Sequence, residues 1–147
     1  MSSLARSHGA EPTPPVRVSL PARGILELAI ENAVEGCVHE TWAALSAAHQ
    51  ARRAVDPALR AVFAGIADDE ARHAELAWTI DAWIVDQLDA TDRATVEAAR
   101  RTAARQLIAR LGAAADDPAI LELGVPRAGV ASQLCAALGE ALWSRAA

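Results

Sequence analysis

The sequence predicts an all-α protein, a four-helix bundle behind an N-terminal leader, on three observations. From Ala22 onward the text is mostly Ala, Leu, Glu and Arg, with few β-branched clusters and no hairpin turn signals. Helix-start and helix-stop residues cut that stretch into four segments of helix length. At 147 residues and 52% hydrophobic content, the chain is sized for one domain with a sizeable core.

Taken in order, residues 1–21 hold four of the seven prolines (Pro12, Pro14, Pro15 and Pro21) and show no helical period. They are expected to form a flexible leader ahead of a helical domain at 22–147. The first helix is expected from about Arg23 to Arg52. Asp56 before Pro57 is an N-cap followed by proline at the first helical position, which opens a second helix running to about Leu88. The third opens at Thr91 or Asp92 and runs to Leu111, where Gly112 is a natural stop. The linker AAADDPAILELGVP has room for one short turn of helix, at 118–123, before a fourth helix from about Arg127 to Arg145.

Composition excludes several functions. No apolar run reaches the roughly 18 residues that a membrane span needs, and the first residues lack the apolar core of a secretory signal. Two cysteines, Cys37 and Cys135, suit a reducing, cytoplasmic compartment and read as small buried hydrophobes. A net charge of −5 leaves no basic excess with which to bind nucleic acid. There is no glycine-rich phosphate loop, no nucleophile elbow and no Cys-x-x-Cys. A Cys37–His39 pair fails as a nucleophile and base, because residues two apart on a helix point to different faces. With no tyrosine in the chain, a tyrosyl radical is ruled out.

The second helix carries the chemistry. At about 100° per residue, Leu59, Val62, Phe63, Ile66, Ala77, Ile80 and Ile84 form one stripe, with Glu70 and His73 near its centre. Arg60, Asp68, Arg72 and Glu75 take the opposite face. A carboxylate and an imidazole mid-stripe are costly to bury unless something pairs with them. Spaced three apart on one face, they can reach a single metal ion. The first helix offers Glu31, Glu35 and His39 at i, i+4 and i+8. If both helices rise equally through a turn at 53–56, Glu35 lies level with His73 and His39 with Glu70, and the four converge on one layer. Glu31 replaces Glu35 if the register slips by a turn. On this reading Glu40 and Glu75 are solvated, and His49 serves the end of the first helix. The four tryptophans are packing residues.

The phrase ENAVEGCVHETW, followed by IADDEARHAEL, resembles the first half of the ferritin-like di-iron carboxylate superfamily, which includes rubrerythrins and ferritins. The matching residues are Glu35 on the first helix and Glu70-Ala71-Arg72-His73 on the second, and the likeness covers residues 25–80. The resemblance implies a non-haem iron-binding bundle, commonly di-iron, acting in iron handling or as an oxidoreductase of ferroxidase or peroxidase type. Glu35 would bridge or cap, Glu70 would bridge, and His73 would be a terminal ligand. A carboxylate and imidazole set suits iron, with manganese second, and open positions would admit O₂ or peroxide. The family repeats its ligand set on two more helices, whereas here no histidine follows His73. The expected register brings Ile108, Leu111, Val130 and Arg127 to the site's level, and leaves Glu97 and Glu140 several turns away. One chain then holds half a di-iron site, and a two-fold homodimer packing the first two helices against their copies would complete it, as encapsulated ferritins do between chains. The alternatives are a mononuclear site of Glu35, His39, Glu70 and His73, and a metal-free ferritin-like helical interaction module.

Overall fold

A computed structural model describes Arg6, Gly9, 22–113 and 117–143. The expected leader, apart from Arg6 and Gly9, and the last residues of the expected fourth helix lie outside the described residues. The described residues are helical, with no strand among them.

Four long rods and one short helix follow the punctuation in the sequence. The first rod is continuous but changes its winding: α1 (Ile25–Glu31), a π-helix π1 (Asn32–Glu40) and α2 (Thr41–Arg53) run end to end through helical backbone at both junctions. At its start the Glu27 carboxylate accepts from the Gly24 N–H at 2.9 Å. The second rod, α3 (Pro57–Val85), begins as expected: Asp56 accepts from the Ala58 N–H at 2.7 Å, and Pro57 stands in the first turn. The third, α4, spans Ala90–Ala113, one residue past the expected glycine stop. The linker repeats the Asp-Pro device, with Asp117 capping the short α5 (Pro118–Glu122) at 2.9 Å. The last rod is α6 (Ala128–Leu138) continued by π2 (Gly139–Trp143).

The linker is fastened to the turn between the first two rods. Val55 N–H donates to the Glu122 carbonyl at 2.9 Å, Gln50 Nε2 to Leu123 at 3.2 Å, and His49 Nδ1 to Gly124 at 2.9 Å. His49, expected at the rod's end for its dipole, therefore has a specific partner in the linker. Gly124 has φ +75°, and a Cβ there would lie 2.5 Å from the Ala54 nitrogen. Only glycine meets both demands.

Two apolar clusters hold the rods together. One gathers Val38, Ala103, Leu107, Cys135 and Trp143, backed by Val34, Trp42, Trp78 and Leu111. The other joins Ala29, Ala33, Ile84, Leu88 and Val96. The third and fourth rods thus bury their stripes against one side of the first. Trp42, Trp78 and Trp143 are packed as expected, whereas Trp83 is 63% exposed. Between the clusters lies a charged group that sequence reasoning missed. Arg100, 3% exposed, donates to Asp81 at 2.5 Å and to Glu97 at 2.7 Å, and its guanidinium stands 5.3 Å from the centre of the Trp78 ring.

Candidate metal centre

The site is set by how closely the first two rods cross. Gly36, in π1, faces Ala77 of α3 so tightly that a Cβ on it would lie 2.5 Å from the Ala77 Cβ. The same contact is pinned by Asn32, whose Nδ2 donates to the Ala77 carbonyl at 2.9 Å, and by the Cys37 thiol at 3.7 Å. Further along π1 from that crossing is Glu40; one and two turns back along α3 are His73 and Glu70.

Those three side chains converge. Glu40, Glu70 and His73 can each present a ligand atom such that all lie within 4.8 Å of one another. His73 Nδ1 is 3.3 Å from Glu70 Oε2 and 4.0 Å from Glu40 Oε2. Glu70 is the most sheltered, with its side chain 27% exposed, and His73 is 62% exposed. The Glu40 carboxyl is held above the ordinary value chiefly by its hydrogen bond to Glu70, with burial and the Glu70 charge adding to it. Glu70 is lowered chiefly because it accepts that bond, and next by His73. Where the two carboxyls share a proton, Glu40 is therefore the one that holds it more readily.

The expected convergence of Glu35, His39, Glu70 and His73 on one layer is therefore corrected. Glu70 and His73 meet Glu40, which the sequence reading had placed in solvent. His39 Nδ1 instead bonds Glu35 at 2.9 Å, and its Nε2 receives Arg110 Nη2 of α4 at 3.3 Å. That pairing requires the proton on Nδ1. Glu31 is ion-paired to Arg23. The physical reason is which face of the first rod crosses α3. Gly36 meets Ala77, and Glu40, one turn further along, keeps to that face, whereas Glu35 and His39 lie to the side where Arg110 of α4 reaches His39. Glu35 remains close enough that its charge helps raise Glu40.

Other donor candidates are inert. Burial pushes the Cys37 thiol up to about 12 and Cys135 to about 11, so neither offers a thiolate near neutral pH. From the second half of the chain, Arg110 reaches His39, Leu111 packs in the core and Ile108 is exposed. Among the described residues, the group of Glu40, Glu70 and His73 is the one set of His, Cys, Asp and Glu side chains placed to hold a metal ion.

Comparison of the chain with protein-family models, with curated proteins and with solved structures finds no match in any of the three.

Proposed function

We propose that this chain is a non-haem metal-binding helical bundle of ferritin-like type, which takes iron, or manganese in its place, at Glu40, Glu70 and His73. Its role is iron handling or an oxidation of ferroxidase or peroxide type. The observation that carries the reading is the convergence of two carboxylates and one imidazole, from two rods, within 4.8 Å. The donor set is hard to borderline and contains no thiolate, which suits iron or manganese. The closeness of the two carboxylates supports it too: the repulsion that helps raise Glu40 is what a seated cation would relieve. Glu70 would span the site from its sheltered position, and His73 would be the terminal nitrogen donor. A metal so held supplies redox chemistry with coordination positions open to O₂ or peroxide.

Three donors leave the coordination incomplete, and a second copy is the partner we infer. His73, Leu76, Ile80 and Trp83 follow one stripe along α3, and Leu76 and Trp83 are 57% and 63% exposed. The third and fourth rods cover the other side, so this face is open to an isologous partner that brings its own carboxylates and histidine.

The same exposed stripe favours a second reading, a metal-free helical interaction module. Metal analysis by mass spectrometry, on protein expressed in iron-supplemented medium, separates the two. Iron that co-purifies with the wild type and is lost in Glu70→Gln supports the metal reading. Wild-type protein that stays empty at every iron level supports the interaction module.

A further inference from the structure

Away from the metal cluster, a groove of about 480 Å³ opens between the end of α3 and the first half of α4. Val85, at its α3 wall, is 12 residues beyond His73, about 18 Å along the rod at 1.5 Å per residue. Its apolar lining is Val85, Ala94 and Val96, and its charged lining is Arg93, Glu97, Arg100 and Arg101. We propose that this groove binds a small aliphatic monocarboxylate.

Charge and hydrogen bonding both point to an anion. Arg93, Arg100 and Arg101 supply three positive charges, and Glu97 with the adjacent Asp81 supplies two negative ones, so the groove is left one positive charge in excess on a chain whose net charge is −5. Arg100 is 3% exposed and spends Nη1 on Glu97 and Nη2 on Asp81, but its Nε–H is buried with no partner. A buried donor left unpaired is costly; shut off from solvent, it favours an anion in the groove through charge, and direct contact falls to Arg101. Arg101 is tied to Glu97 by one nitrogen only, at 3.1 Å, and is half exposed at the rim. A carboxylate is the planar, bidentate acceptor that guanidinium groups fit best. Glu97 would repel a second negative charge, which selects a monoanion over a phosphate or dicarboxylate. The apolar lining asks for a hydrocarbon body, and the volume falls in the range of small-molecule pockets.

Isothermal titration of the full chain with octanoate, octanol and octylammonium tests this. Octanoate is expected to bind saturably, at least about tenfold more tightly than either control, since only it forms charge-assisted bonds. Ala94→Trp, at an exposed position in the lining, should abolish the binding, and Arg101→Gln should weaken it about tenfold. The proposal is overturned by octanol binding as well as octanoate, by no saturable binding up to about 10 mM octanoate, or by wild-type affinity in folded Ala94→Trp. Metal content has no part in the readout, so the result is independent of the function proposed above.

Discussion

Two acidic groups in this molecule meet a histidine or an arginine, and they solve the problem of clustered charge differently. Inside, Asp81 and Glu97 share the Arg100 guanidinium, which is itself stacked near Trp78, and all three side chains are largely shielded from water. On the open face, Glu40 and Glu70 have each other and the exposed His73. The inner group is closed by the protein's own cation. The outer one has an exposed imidazole in that place. Carboxylates placed for structure come with their counter-ion; on the function proposed above, the outer pair leaves that position to a metal ion.

Breaking the inner group should have the largest effect on stability. Arg100→Met strands two buried carboxylates and is expected to cost about 3–5 kcal/mol in denaturant unfolding. Metal taken up per folded molecule should be unchanged. If Arg100→Met removes metal binding while the fold persists, the two groups are coupled and the comparison fails.

On the outer group the expected effect is on binding. Glu40→Gln or Glu70→Gln should weaken Fe²⁺ or Mn²⁺ binding by about a hundredfold, while metal-free stability shifts by less than about 1 kcal/mol, as expected for half-exposed side chains. A loss of several kcal/mol in metal-free Glu70→Gln would make the outer group structural as well.

The crossing that builds the outer group can be tested alone. Gly36→Ala puts a methyl against Ala77, an overpacking cost of about 1–3 kcal/mol that the gain in helix propensity, about 1 kcal/mol, only partly offsets. Metal affinity should fall with it as Glu40 shifts. Adding Ala77→Gly should recover the affinity. Failure of that double variant to recover would mean that Gly36 does not set the site.

The smallest effect is the pH dependence of the metal-free chain. Glu40, with its raised value, contributes stability that is present in acid and lost as pH rises through its folded-state value. Glu70, with its lowered value, contributes stability that is present above its ordinary value and lost as pH falls through its folded-state value. The pair therefore steadies the fold most in a window around 4.5, the ordinary glutamate value for both. Metal affinity should run the other way above that window, rising with pH as Glu40 gives up its proton. Unfolding scans across pH, repeated on Glu40→Gln, isolate the contribution.

Much of the fold was legible. Both Asp-Pro helix starts, the short linker helix, and Glu70 with His73 on one face of α3 can be read from local chemistry and the α-helical period, but His73 is exposed and not inside the apolar stripe as expected. The register of the site was not. It depends on which face of the first rod crosses α3 at Gly36, and the i, i+4, i+8 spacing of Glu31, Glu35 and His39 aligns those side chains with one another without saying which face meets α3. The usable clue was Gly36 among longer side chains, an early sign of close helix contact. The Asp81–Arg100 pair was hidden for another reason. Its partners lie 19 residues apart on different rods, and a lone charge on each stripe reads as surface until the rods are packed.

The central claim is that Glu40, not Glu35 or His39, joins Glu70 and His73 around a cation. Anomalous diffraction from crystals grown with Fe²⁺ or Mn²⁺, recorded at the metal's absorption edge, tests it most directly. The account predicts a peak within coordination distance of a carboxylate oxygen of Glu40, a carboxylate oxygen of Glu70 and a ring nitrogen of His73, lying on the open face of the first two rods. A peak between Glu35 and His39, or no peak in crystals saturated with metal, would contradict it.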